Sequence, residues 1–76
     1  MSVYQLAEKI LNHLAQHYNE HGVSKSNTKS LANYFETDHE TAEQALNHLH
    51  ENGHVRLDLD GSAHITDQGI NQGFQQ

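Results

Sequence analysis

The sequence contains no cysteine, and this absence excludes disulfides, thiolate metal sites and cysteine nucleophiles together. It also contains no proline, so no helix is interrupted by a missing backbone donor. No apolar run reaches the length of a signal-peptide core or a membrane span, because the opening MSVYQLAEKILNHLAQ has polar residues every few positions. We therefore expect a cytoplasmic protein that is neither secreted nor inserted in a membrane.

Positive charge is also scarce. Four Lys and Arg stand against ten Asp and Glu, and the net charge is −6 with histidine neutral. Residues 1–35 hold two acids and three bases, whereas residues 36–76 hold eight acids and one base. Proteins gain most of their affinity for DNA by neutralising phosphates with Lys and Arg. The acidic second half therefore argues against a large electrostatic contact with DNA.

With 76 residues the chain is expected to form a single domain, residues 1–76. A domain of this size buries only about 60% of the surface of its unfolded chain, and its stability is correspondingly marginal. Self-association would add buried apolar surface. A homodimer is one way for such a chain to gain stability.

The first helix is predicted over about residues 2–20. Placing residues at 100° intervals gathers its apolar side chains on one arc. Ser2 and Gln5 have the spacing of a capping box, and Gly22 is suited to end the helix. The arc spans about half the circumference, wider than the ~100° stripe that one core needs. We therefore predict a homodimer contact through helix one, together with the C-terminal segment.

Two further helices are predicted at about residues 28–35 and 38–52. In the connection HGVSKSN between helices one and two, Val23 is a candidate for a short strand. Thr37 or Asp38 is expected to cap helix three, with Thr37 and Glu40 spaced as a capping box. Gly53 is expected to end it.

A hairpin is predicted over about residues 54–66. Val55, Leu57 and Leu59 alternate with polar residues, and the pattern resumes after Asp60-Gly61, a pair typical of two-residue turns in which both positions have positive φ. Residues 67–76 are read as either a short helix capped by Thr66 or an irregular end. The residues that these periodicities place inward form one predicted core: Leu6, Ile10, Leu14, Leu31, Phe35, Leu46, Leu49, Val55 and Leu57.

The stretch SLANYFETDHETAEQALNHLHENGHV resembles the winged helix-turn-helix family, in which a Leu-Ala pair in helix two precedes a capped turn and a patterned third helix. The closing ITDQGI is similar to the Leu-Thr-x-x-Gly that follows the wing in many bacterial winged-helix regulators. The resemblance implies a mainly α fold with a small β-hairpin (α+β), with three core helices and a two-stranded wing. It also implies a transcriptional regulator, commonly dimeric, although some members are protein-interaction modules.

The first functional interpretation is DNA binding with helix three in the major groove. The residues that would face base edges lie opposite its apolar face or in its first turn: His39, Glu40, Glu43, Gln44 and Asn47. The residues that would contact phosphates are the cations Lys25, Lys29 and Arg56. The side-chain amides of Gln44 and Asn47 can pair with adenine, and a glutamate can accept from cytosine.

The alternative interpretation is an acidic winged-helix module that binds another protein and no DNA. In that case Glu40 and Glu43 form a solvated face, the two lysines serve solubility, and Tyr34 is the best single candidate for a partner contact. The acidic wing tip, Asp60-Gly61-Ser62, favours this alternative because it would meet a DNA backbone with the wrong sign.

Eight histidines invite a metal interpretation. His13, His17 and His21 recur at four-residue intervals on helix one, and neighbouring members of such a series can share a metal ion. They are weak candidates, because two ligands from one helix do not close a site and the chain has no His-Glu-x-x-His signature. We predict no metal and no cofactor. Since the chain also lacks a phosphate loop and a nucleophile elbow, we expect a non-enzymatic protein.

Overall fold

The structure, a computed structural model, describes residues 2–74. Its elements in chain order are α1 (Val3–His21), β1 (Lys25–Asn27), α2 (Thr28–Tyr34), α3 (His39–Glu51), β2 (Val55–Leu57), β3 (Ser62–Ile65) and α4 (Asp67–Phe74). The α+β class is confirmed, and this order is consistent with a winged helix. The three predicted helices agree with α1, α2 and α3 to within one residue at each end. Residues 75 and 76 of the predicted C-terminal segment lie outside the described residues.

Helix α1 begins and ends where its sequence predicts. The Ser2 hydroxyl accepts from the Gln5 backbone N–H at 3.1 Å, and the Gln5 side chain accepts from the Ser2 N–H at 3.2 Å. This capping box satisfies two backbone donors that the first turn leaves without partners. Gly22, with φ of 70°, ends the helix by donating its N–H to the Tyr18 carbonyl.

The C-terminal residues through Phe74 form a helix, so the helical alternative is confirmed there. Helix α4 packs on α1, where a Cβ on Gly73 would lie 2.6 Å from the Cβ of Ala15. Helix α4 therefore covers the part of the α1 apolar arc around Leu11 and Ala15, while Tyr4 and Tyr18 stay exposed. The width of the arc is therefore weaker support for a dimer than the sequence indicated, because a fourth helix packs on part of it. Self-association itself stays a prediction.

A close approach of backbones fixes where α4 starts. The Thr66 hydroxyl donates to the Gly53 carbonyl at 2.7 Å and accepts from the Gly69 N–H at 3.0 Å. A Cβ on Gly69 would lie only 2.0 Å from the His54 carbonyl oxygen. The Thr-x-x-Gly spacing in ITDQG thus has a local physical reason: the threonine caps the helix, and the glycine lets it approach the end of α3.

The sheet has three antiparallel strands in the order β1-β3-β2. The predicted two-stranded wing was incomplete, because β1 pairs with the outer side of β3. The predicted strand at Val23 was misplaced: the strand begins two residues later, at Lys25, and Val23 is exposed. Hydrogen bonding to a strand that is distant in the sequence decides which residues of a short polar connection become a strand. The periodicity of the connection itself does not indicate that pairing.

The turn between β2 and β3 also differs from the prediction. Gly61 has φ of 85°, but Asp60 does not have positive φ. Asp58 and Ser62 are hydrogen-bonded across the loop, and the Gly61 N–H donates to the Asp58 carbonyl. Three residues therefore form the loop, as in a type I turn followed by a left-handed glycine. Leu59, which continues the alternation of Val55 and Leu57 in the sequence, lies at the tip and is fully exposed.

Helices α2 and α3 end in the same arrangement with different residues. At each end the two N–H groups after the last turn donate back to it: Glu36 to Asn33 and Thr37 to Ala32, then Gly53 to His50 and His54 to Leu49. The residue at the turning point has φ of 78° in Gly53 and 54° in Glu36. A glycine adopts this left-handed conformation without strain, whereas in Glu36 the Cβ crowds the backbone and destabilises it.

Asp38 caps α3, accepting from the Thr41 N–H at 3.3 Å. The other predicted arrangement, a capping box of Thr37 and Glu40, does not form. Thr37 instead belongs to the end of α2, since its N–H bonds to the Ala32 carbonyl at 2.9 Å. The turn between the helices is therefore one residue longer than that alternative allowed.

The core gathers side chains from α1, α2, α3 and the sheet. All nine predicted core residues belong to it or pack on it, and only Phe35 and Leu57 are half-buried at its margin. The other buried members of the core are Ala7, Leu11, Ala15, Ala45, Ala63 and Ile65. In residues 2–74 no helix combines the length and apolar character that crossing a membrane requires.

We predict that Gly69→Ala lowers the free energy of unfolding by about 2 kcal/mol or more, because the new methyl group must displace α4 from the His54 carbonyl. Thermal and denaturant unfolding followed by circular dichroism would measure the loss. Asn71→Ala, at an exposed position of the same helix, is the matched control and should leave stability nearly unchanged. Equal stability of the two variants would contradict the close approach.

We predict that Glu36→Gly raises the free energy of unfolding by about 0.5 to 1 kcal/mol, because relief of the left-handed strain exceeds the added entropy of the unfolded chain. Glu36→Ala removes the same charge but keeps a Cβ, so it should bring no gain. If both variants gain equally, charge rather than backbone conformation is responsible.

Candidate functional site

The outward face of α3 carries all five residues predicted to read base edges. His39, Glu40, Glu43, Gln44 and Asn47 are exposed, while Ala42, Ala45, Leu46 and Leu49 of the same helix are buried. The His39 ring lies 3.5 Å from the Glu43 carboxylate, one helical turn away. The hydrogen bonds from Thr41 lower the pKa of the Asp38 cap, so it is ionised and adds to the negative charge at the start of this face.

A row of basic side chains crosses the outer face of the sheet. The register pairs Lys25 of β1 and Arg56 of β2 with the same residue of β3, His64. Residues directly opposite in neighbouring strands share a face, so these three side chains form one row, hereafter the basic row. Lys25 and Arg56 were predicted as phosphate contacts, and the sheet brings them together.

Aspartates of the β2–β3 segment sit against the basic row. Asp58 contacts both the His64 Nε2 at 2.6 Å and the Arg56 Nε at 3.6 Å. Asp60 lies 3.8 Å from the Lys25 ammonium and accepts from the Ser62 N–H at 3.0 Å. Hydrogen bonds from Ser62, assisted by the charge of Lys25, lower the pKa of Asp60. The chain thus neutralises its own basic row.

Lys29 differs from the other two predicted phosphate contacts. It is exposed in the first turn of α2, and no ion-pair partner for it occurs within residues 2–74. The backbone N–H of Lys29 is already used, because it donates to the Asn27 side chain at 2.8 Å. The ammonium group, rather than the helix end, is what Lys29 offers a ligand.

Sequence reasoning missed His64 as part of this site. The alternation in SAHI does place His64 opposite the buried Ala63 and Ile65, so its outward position had a signal. The sequence carried no signal for its pairing with Arg56 and Lys25, because the residues of one strand do not determine its register with the other two.

A groove next to α3 was also missed. It has a volume of about 500 Å³ and lies between the start of α1 and the outward face of α3, lined in part by Tyr4, Gln44 and Asn47. Tyr4 is 67% exposed, and its ring meets the His48 ring edge-on at a centroid distance of 4.8 Å. The face predicted to read bases therefore has an aromatic border.

The histidine rings of α1 lie next to one another along the helix. Ring centroids are 6.2 Å apart for His13 and His17 and 4.9 Å for His17 and His21. Across residues 2–74, no group of three or more His, Asp or Glu side chains is arranged to hold a metal ion. His13 also packs on Tyr34 at 4.3 Å and on Phe35 at 5.7 Å. Burial, and secondarily the neighbouring His17, lowers its pKa.

Comparison with protein-family models, with curated proteins and with solved structures found no match.

We predict that acidification destabilises the fold in part through His13. Because its pKa is lower in the folded chain, its contribution is complete above the ordinary histidine value of about 6.5 and is lost as pH falls through the folded value. The free energy of unfolding of His13→Phe, relative to that of the native chain, should therefore rise as the pH falls from about 7.5 to about 5. Urea unfolding across this range would measure it, and a pH-independent difference would contradict the assignment.

Proposed function

We propose that the chain is a non-enzymatic winged helix-turn-helix domain that binds DNA as a transcriptional regulator in the cytoplasm. The observation that carries the proposal is the exposure of Gln44 and Asn47 on the outward face of α3, one turn apart, on a helix anchored by a buried apolar face. Side-chain amides in this position can pair bidentately with adenine. The wing would be the β2–β3 hairpin.

Electrostatics sets the strength of this binding. Lys25 and Arg56 are each paired with an aspartate, but both partners of each pair are well exposed. Such surface pairs contribute only about 0 to 1 kcal/mol, so a DNA phosphate can replace the aspartate at small cost. The displaced aspartates nevertheless remain near the backbone and repel it. We expect weak non-specific affinity and a shallow salt dependence, because few phosphates are neutralised.

The pairing of cations with Asp58 and Asp60 favours a second candidate function, an interaction module that does not bind DNA. With these cations neutralised, the outward face of α3 presents Glu40, Glu43 and Glu51 as excess negative charge. A protein partner with a basic surface would complement this face, and Tyr4 at its border would supply an aromatic contact. Charge complementarity therefore supports the function of an interaction module, while the side-chain amides of α3 support DNA binding.

We predict that Lys29→Glu abolishes binding to duplex fragments from the protein's own locus, because it replaces a cation that contacts phosphate with an anion. Fluorescence anisotropy at physiological salt is the measurement. Lys9→Glu, an exposed lysine on α1, makes the same charge change away from α3 and is the matched control. It should lower affinity much less. Equal losses in the two variants would mean that net charge alone, and no defined contact, holds the DNA.

Two gain-of-affinity variants complete the test. Glu43→Arg should strengthen general DNA binding whichever function the native chain has, so it serves as a positive control. Asp60→Asn should strengthen binding in the DNA-binding chain because it releases Lys25. Failure of the native chain to bind any fragment, together with a saturable complex with a basic protein that Glu43→Arg abolishes, would decide for the interaction module.

A further inference from the structure

A cavity of about 320 Å³ lies between the C-terminal half of α1, strand β1 and helix α2. Three rings line it, those of His13, His17 and Tyr34, and Leu31 adds an apolar side chain. The volume is at the small end of the range for ligand sites. It lies apart from the outward face of α3 but shares Lys25 with the phosphate contacts proposed above.

The charge of this cavity is opposite to that of the chain. Besides the rings and Leu31, its lining residues are Lys25, Ser26, Asn27 and Ser30, and no Asp or Glu from residues 2–74 lines it. Four other cavities of the molecule each include a carboxylate, from Glu51, Glu8, Glu36 and Asp67 respectively. In a chain of net charge −6, this cavity therefore favours an anion.

Lys25 can turn toward such an anion. Its present partner is Asp60 at 3.8 Å, and both side chains are more than half exposed. Water screens a pair of this kind, so exchanging Asp60 for a ligand carboxylate costs little. The serine hydroxyls can donate to the same anion, because a hydroxyl rotates to suit its acceptor.

The aromatic wall adds a preference for a flat ligand. Tyr34 is 64% exposed although its ring lies 4.3 Å from that of His13, with the two planes 31° apart. The pair presents flat aromatic surface to the cavity and to solvent. A planar ring of a ligand can stack there and remove this surface from water.

We propose that the cavity binds a small aromatic carboxylate. The carboxylate meets the Lys25 ammonium and the serine hydroxyls, and the ring packs against Tyr34 and the α1 histidines. A site with one cation, neutral donors and a flat aromatic wall distinguishes this ligand class from aliphatic acids and from neutral aromatics.

The test is an amide NMR titration of the isotope-labelled chain at neutral pH with benzoate, its neutral analogue benzamide, and cyclohexanecarboxylate. We expect saturable shifts with benzoate, concentrated at His13, His17, residues 25–31 and Tyr34, and affinities about tenfold weaker for both analogues. Lys25→Gln should weaken benzoate binding about tenfold. The matched control Lys9→Gln should leave it unchanged.

Two further variants separate the parts of the site. Asp60→Asn should strengthen benzoate binding, because Lys25 then has no competing carboxylate. Tyr34→Leu should abolish the preference for benzoate over cyclohexanecarboxylate. Shifts without saturation, saturation centred elsewhere, or equal benzoate affinities in Lys25→Gln and Lys9→Gln would overturn the proposal. Thermal unfolding of each variant ensures that a folded chain is being compared.

Discussion

The fold depends on covering the wide apolar arc of α1. Six residues of this helix are buried, and α3, the sheet and α4 all pack against it. A chain of 76 residues has little other apolar surface from which to build a core. The close approach of α4 at Gly69 and Gly73 follows from this constraint, because small residues let a short helix lie near enough to exclude water from Leu11 and Ala15.

Most apolar residues of the chain are buried in one core. The regions of its surface therefore differ mainly in charge. The α3 face is acidic, the basic row is neutralised by Asp58 and Asp60, and the cavity beside α1 has a lysine without a lining carboxylate. Lys25 takes part in two of these regions, since it belongs to the basic row and lines the cavity. The state of the Lys25–Asp60 pair therefore affects both the sheet face and the cavity, through a contact weak enough to be exchanged.

These charges also explain why shape alone does not decide between DNA and protein as the partner. A helix with outward amides is suited to base contacts, but base contacts contribute discrimination on top of the affinity that phosphate neutralisation supplies. Here two of the three cations that would neutralise phosphates, Lys25 and Arg56, already have anionic neighbours belonging to the same chain. This fold with this charge distribution is compatible with either partner, and binding to DNA and binding to protein are expected to respond differently to substitution of Lys29 and Glu43.

The sequence by itself determined the features that depend on near neighbours. The helix bounds, the Ser2 capping box, the end at Gly22 and nearly all of the core followed from periodicity and caps, because these depend on residues three or four positions apart. The exposed residues of α3 followed for the same reason. Tertiary structure alone decided the third strand, the position of Leu59, the cover that α4 gives α1, and the contacts of Asp58 and Asp60 with the basic row. These join residues of separate segments, and no local pattern states which strand pairs with which, or in what register.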